Sequence, residues 1–182
     1  MHKERTDVSL ETFLSTIERG IAVIAIGAAW VLLPLLAINR TFDIVARQFI
    51  ATPANFVQML EVRAFLFLVL LSFGFAYLRN AHIRVDVIRV YLTPKKQAWS
   101  EIAGFLLAVV PVCIVIGNYG IDYAIMSYGQ GEREAIFLGR PMQWVVKSML
   151  PFGILLLFLA GSTVCVRNVL FLLGRAEKPA PG

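Results

Sequence analysis

Residues 20–39 read GIAVIAIGAAWVLLPLLAIN, a stretch without a single charged side chain. A bilayer core of about 30 Å needs roughly 20 mostly apolar residues at a helical rise of ~1.5 Å each, and this stretch meets that length. Three further uncharged runs follow, Ala64 to Leu78, Ile102 to Ile121 and Ser148 to Val166, each flanked by charged residues. The second is short, but the apolar segment upstream of Glu61 and Arg63 lengthens its helix into the headgroup region, where charged tips reach water. The predicted fold is an all-α membrane protein with four transmembrane helices, an N-terminal surface helix and short interfacial segments. One domain covers residues 1–182, with spans at about 20–39, 60–78, 100–121 and 147–167.

Composition points the same way: of 182 residues 58% are hydrophobic and 16% charged, with a mean hydropathy of +0.73. A small soluble domain could not bury that much apolar surface. A secretory signal would need a shorter apolar core and a small-residue cleavage site, whereas the first run ends Ala37-Ile38-Asn39-Arg40 and is expected to stay as a span.

The segments between runs are read from their turn and capping residues. Residues 1–19 are polar and of mixed charge, with a faint capping pattern in Ser9 and Thr12, and suit a short surface helix. Asn39 to Phe56 interleaves Phe42, Ile44, Val45, Phe49 and Ile50 with Asp43, Arg47 and Gln48, as for a segment lying along the outer membrane face. Arg79 to Val87 alternates with period two, but a helix would pair His82 with Asp86 and Asp86 with Arg89, so both conformations stay open. Thr93-Pro94 predicts the cap and first position of the third helix. Pro111 predicts a kink within that span, and Pro151 is expected in the first turn of the fourth helix. Gly129 to Pro141 reads as an outer loop before Trp144 and Lys147 anchor the fourth span, and 176–182 as a disordered tail.

Lys and Arg concentrate in short cytoplasmic loops, which orients the chain. Eleven of the seventeen fall on one side: Lys3, Arg5, Arg19, Arg79, Arg84, Arg89, Lys95, Lys96, Arg167, Arg175 and Lys178. Arg40, Arg47, Arg63, Arg133, Arg140 and Lys147 fall on the other, diluted by acidic residues, so both termini are expected in the cytoplasm of a multi-pass inner-membrane protein. The net charge of +5 sits in juxtamembrane clusters and suits anionic lipid rather than nucleic acid. Cys113 lies within the third span and Cys165 near the cytoplasmic end of the fourth, too far apart in depth for a bridge, so two free thiols are predicted.

A pump that couples substrate to an ion normally carries ionisable groups near the membrane midplane. The four runs contain none; Ser72, Asn118, Ser162 and Thr163 remain, of types that more often serve helix packing. His2 and His82 both fall outside the runs, which leaves no axial pair for a haem, and there is no phosphate loop, metal-spaced set or activated nucleophile. The chain reads as a non-enzyme without a cofactor of its own. Ala25-xxx-Ala29 and Cys113-xxx-Gly117 offer sites of close helix approach, inside the bundle or against a partner. Trp30 sits mid-span, where an indole N–H seeks an acceptor, and is a candidate for contact with another subunit.

Leu78-Arg79-Asn80-Ala81-His82-Ile83-Arg84-Val85-Asp86 resembles the segment after the second helix in the small membrane subunits of tripartite ATP-independent periplasmic (TRAP) transporters. Glu61, thirteen residues before Gly74, is similarly spaced to that family's acidic position early in the second helix. Arg140-Pro141-Met142-Gln143-Trp144-Val145-Val146-Lys147, followed by Leu150-Pro151-Phe152-Gly153, looks like the family's approach to the fourth helix. The resemblance spans roughly residues 17–172; it departs where the family often has a tryptophan and a paired acidic residue, because Leu60 precedes Glu61 here.

The resemblance implies a four-helix subunit that braces a larger multi-span subunit, which moves organic acids by an elevator motion. Sodium and substrate sites belong to that partner, and a periplasmic binding protein delivers the substrate. The segments around Asn39 to Phe56 and Tyr128 to Arg140 would lie near its docking surface. Interface or structural candidates are Trp30, Glu61, Arg63, His82, Arg84, Asp86, Arg140, Trp144 and Lys147. Two other classes compete: a membrane anchor for another complex, and a small four-helix multidrug exporter. The exporter would need a carboxylate in the first span, which has none.

Overall fold

The computed structural model describes residues 2–49, 54–79, 92–133, 139 and 142–174. Four helical spans are long and apolar enough to cross a membrane.

The first is a single helix, α1 (His2–Phe49, 48 residues), about 72 Å long at ~1.5 Å per residue. The expected surface helix, first span and interfacial segment are therefore not separate elements, and the helix runs straight through Ser9 and Thr12. Beyond the uncharged run, at both ends, polar side chains bond within the helix itself. Ser15 and Thr16 hydroxyls donate to the Thr12 carbonyl at 2.9 and 2.8 Å, and the Thr41 hydroxyl to that of Ala37 at 2.8 Å. Arg47 and Asp43, four residues apart, pair at 3.0 Å, an arrangement that supports a helix in water. Charged residues interrupt the apolar run without breaking the helix.

Helix α2 (Ala54–Leu78) returns across the layer. Helix α3 (Pro94–Gly104) begins as the sequence predicts: Thr93 is extended (φ −63°, ψ 152°) and Pro94 takes the first helical position. The Thr93 hydroxyl makes no capping bond; the Gln97 side chain instead donates to the Leu92 carbonyl at 3.1 Å. A widened π-turn, Phe105–Val109, joins α3 to α4 (Val110–Gln130). Its closing bond runs from Val110 N–H to the Phe105 carbonyl, five residues back. Pro111 explains it, since a proline ring collides with the carbonyl four residues earlier in ordinary α geometry and offers that carbonyl no N–H. The disturbance expected at Pro111 thus takes the form of a π-turn just ahead of it.

Helix α4 ends at Gly131 in the left-handed region (φ 60°), with Glu132 N–H bonded to Ser127 O at 3.3 Å and Gly131 N–H to Tyr128 O at 3.2 Å. That paired return needs a residue without a Cβ penalty at positive φ. Helix α5 (Gln143–Leu172) starts well before Pro151, which lies inside the helix and not in its first turn. The ring is accommodated by the neighbour: a Cβ on Gly120 of α4 would stand 3.1 Å from Pro151 Cδ.

α5 is the centre of the bundle, packed against α2 on one side, α4 on another and α1 more lightly. Two glycines set its approach to α2. A Cβ on Gly74 would lie 2.6 Å from the Leu156 carbonyl oxygen, and one on Gly153 would lie 2.8 Å from that of Leu70. The matched order, 70 with 153 and 74 with 156, makes α2 and α5 parallel. Below this crossing Ile21, Tyr77, Leu156, Ala160 and Val164 form a buried cluster from α1, α2 and α5. Of the small-residue pairs, Ala25 and Cys113 are buried, but Gly117 faces open space. Both cysteines are free, as predicted.

Candidate functional site

With the span interiors free of charge, polar chemistry collects at the two ends of the bundle. At one end Arg167 of α5 reaches α1, its Nε donating to Glu18 at 2.9 Å and a second nitrogen lying 3.3 Å from Glu11. This places the N-terminal part of α1 and the C-terminal part of α5 at the same end of the bundle. The next residue, Asn168, is fully buried and donates to the Val164 carbonyl at 3.0 Å.

The opposite end holds most of the predicted residues. Asn39 of α1 donates to the Val57 carbonyl of α2 at 3.1 Å, and Arg40 lies 3.5 Å from Glu61. Glu61 thus has a partner within the chain. Asp43 is almost wholly buried, and the Arg47 Nε–H is shared between its two oxygens at 3.0 and 3.1 Å. Across the bundle the Lys147 ammonium pairs with Glu132, which also accepts from the Ser127 hydroxyl at 2.6 Å. Lys147 lies 3.7 Å above the Tyr123 ring, and Trp144 meets Tyr128 edge-on at 5.7 Å. The bonds from Lys147 and then Ser127 hold the Glu132 carboxyl below its ordinary range. This network pins the loop after α4 onto the first turns of α5.

Trp30 is 78% exposed on the outer face of α1, with Leu33 and Ile38 exposed on the same helix. α4 likewise exposes Tyr119, Ile125 and Tyr128 around its surface. Arg63 shares a cavity wall with Lys147. His82, Arg84, Asp86 and Arg140 lie outside the described residues, and so does the connector left open between strand and helix.

Sequence reasoning missed the Arg167–Glu18 pair, the Lys147–Glu132 pair and the buried Asn168. The first two carried a signal: each joins opposite charges that fall on one side of the membrane, outside the uncharged runs. Among the described residues no group of three or more His, Cys, Asp or Glu side chains could hold a metal ion. The arrangement fastens helices to one another at both rims and leaves broad apolar faces outward.

A family model described as "Tripartite ATP-independent periplasmic transporters, DctQ component" matches residues 36–170. No curated protein and no solved structure matches the chain.

Proposed function

The chain belongs to the DctQ components of the tripartite ATP-independent periplasmic transporters, and from that premise we propose that it is a static scaffold bracing a large substrate-translocating subunit. Organic acid and sodium would bind in that larger subunit, and a periplasmic binding protein would deliver the acid. The observation that carries this reading is the placement of charge: the uncharged runs give this chain nothing with which to hold an ion or an acid at the midplane. What it offers a partner is its exposed apolar faces, on α1 around Trp30 and on α4 around Tyr119 and Ile125. A wider scaffold resists being dragged along when the mobile part of the partner moves.

Affinity purification of the tagged chain in mild detergent, with mass spectrometry of what co-purifies, tests the proposal. The expected result is a large multi-span protein at about equal stoichiometry, and Trp30→Phe should weaken its recovery if the indole N–H bonds across the interface. A stable homodimer alone, able to transport in liposomes, would overturn the reading in favour of an exporter. For orientation we take both termini as cytoplasmic in an inner membrane, on the eleven basic residues of that side. A reporter that fluoresces only in the cytoplasm, fused after the last residue, should be bright; a dark fusion at normal expression would reverse the assignment.

A further inference from the structure

We infer that the exposed stripe Val31, Leu35, Ile38, Phe42, Val45 and Phe49 of α1 is sheathed by a helix of the large subunit that, like α1, runs on past the hydrocarbon. The inference rests on the scaffold reading and adds where the scaffold is gripped. The stripe positions alternate four and three residues apart, the spacing of a helix–helix seam. At about 100° per residue they fall within roughly 80° of the helix circumference, and Arg40 and Arg47 point the opposite way, toward Asp43. No charged side chain therefore interrupts the stripe.

Depth argues against lipid as its cover. The uncharged run ends at Asn39, yet Phe42, Val45 and Phe49 carry the stripe as far as about 14 Å beyond Arg40 at helical rise. Lipid tails do not reach that level, and a soluble protein that comes and goes would leave these side chains in water between visits. α4 differs where it leaves its own uncharged run: it exposes Tyr123 and Tyr128, which suit a membrane–water interface without a protein cover.

The stripe also carries a socket for a helix. Ile38, Thr41, Phe42 and Val45 surround an apolar hollow of about 470 Å³ that Ala37 extends. Their spacing, i, i+3, i+4 and i+7, is that of the four residues between which one knob of a facing helix inserts. The Thr41 hydroxyl donates to the Ala37 carbonyl at 2.8 Å, so it asks nothing polar of the knob. A second copy of this chain fits less well. α1 stands at the edge of the bundle around α5, so a two-fold pair through it would bury only its own stripe. At helical rise and helix width that is on the order of 300 Å², against ~800 Å² per partner in a stable complex. A large subunit can wrap the edge helix and cover the face around Trp30 as well.

Photocrosslinking in the cell tests it, with the tagged full chain expressed beside its native partners and a benzophenone side chain in place of Phe42 or Val45. The expected product is a covalent adduct with the multi-span protein that co-purifies. Ile44 should give none, being comparably exposed and at the same depth but about 100° around the helix from Val45. Val45→Lys should cut recovery of that protein at least about tenfold, since it sets an unpaired charge in the seam, while Ile44→Lys should leave recovery unchanged. Thr41→Leu, which fills the socket without adding charge, should lower recovery too and carries the test if Val45→Lys does not fold. Should the multi-span protein co-purify without an adduct from either stripe position, or be recovered in full with both Val45→Lys and Thr41→Leu, the inference falls and the scaffold reading stands. If no such protein co-purifies, both fall. An adduct with a second copy of the chain, or with a soluble binding protein, would overturn the inference by naming another occupant.

Discussion

Helices α1 and α5 are both apolar enough to span a bilayer, yet 39% of the most apolar stretch of α5 is buried in the bundle against 11% for α1. That stretch of α1 is the more hydrophobic of the two. In water that order would be a paradox, because hydrophobicity drives burial. In a bilayer the lipid tails are as apolar as leucine, so hydropathy says only that a helix enters the membrane. What decides burial is how closely backbones can approach. α5 carries Gly153, Ala160 and Gly161 on its packed faces, whereas Gly20 and Gly27 of α1 face open space.

The sharpest way to break that comparison is to add a side chain at each kind of glycine. Gly153→Val puts methyl groups against the Leu70 carbonyl of a neighbouring helix, a clash with backbone that cannot rotate away. It should cost about 3 kcal/mol, the upper range for overpacking, read as loss of monodisperse protein in detergent or a steep fall in melting temperature. Gly27→Val on α1 should change stability by less than about 0.5 kcal/mol. Equal effects at the two positions would remove small-residue packing as the distinction.

A second test cuts the link between the helices. Arg167→Ala removes the pair with Glu18 and Glu11, all partly exposed, and should destabilise by about 1 kcal/mol. The loss should appear as faster amide exchange in α1 around Glu18 and leave the α2–α5 crossing protected. Exchange rising equally across α5 would show that α1 is not a separately attached element.

The smallest expected effect is at the far end of α5. The Glu132 carboxyl is held below its ordinary value by Lys147 and Ser127, so the pairing is fully present above the unfolded value of about 4.3 and is lost only as pH falls through the lower folded value. Trp144 emission, with the other tryptophans replaced by Phe, should stay constant down through pH 4.3 and change below it. In Glu132→Gln it should show no such step. A transition near pH 6 in the parent would point to a different group.

Much of the fold was legible because uncharged runs of membrane length are a strong signal, and Thr93-Pro94 fixed the start of α3. The misreadings share one cause. Charged residues such as Glu18, Arg19, Arg40 and Asp43 mark where a helix leaves hydrocarbon, not where it ends. Pro151 was misplaced for the same reason, since the helix begins on the polar side of Lys147. Of the site residues, Lys147 and Trp144 meet Glu132 and Tyr128 at the start of α5, partners that the sequence left unassigned. The cavity that joins Arg63 to Lys147 needs the parallel course of two helices eighty residues apart, which no local pattern contains.

The continuity of α1 has a mechanical consequence. It is pinned near Glu18 by Arg167 and near Asn39 by the Val57 carbonyl, points about 32 Å apart along the axis at helical rise. Beyond Asn39 the helix stays held, since Asp43 and Ala46 are buried and Arg40 reaches Glu61. Bending therefore falls to the stretch between the two pins, where Pro34 leaves one backbone carbonyl without its helical N–H.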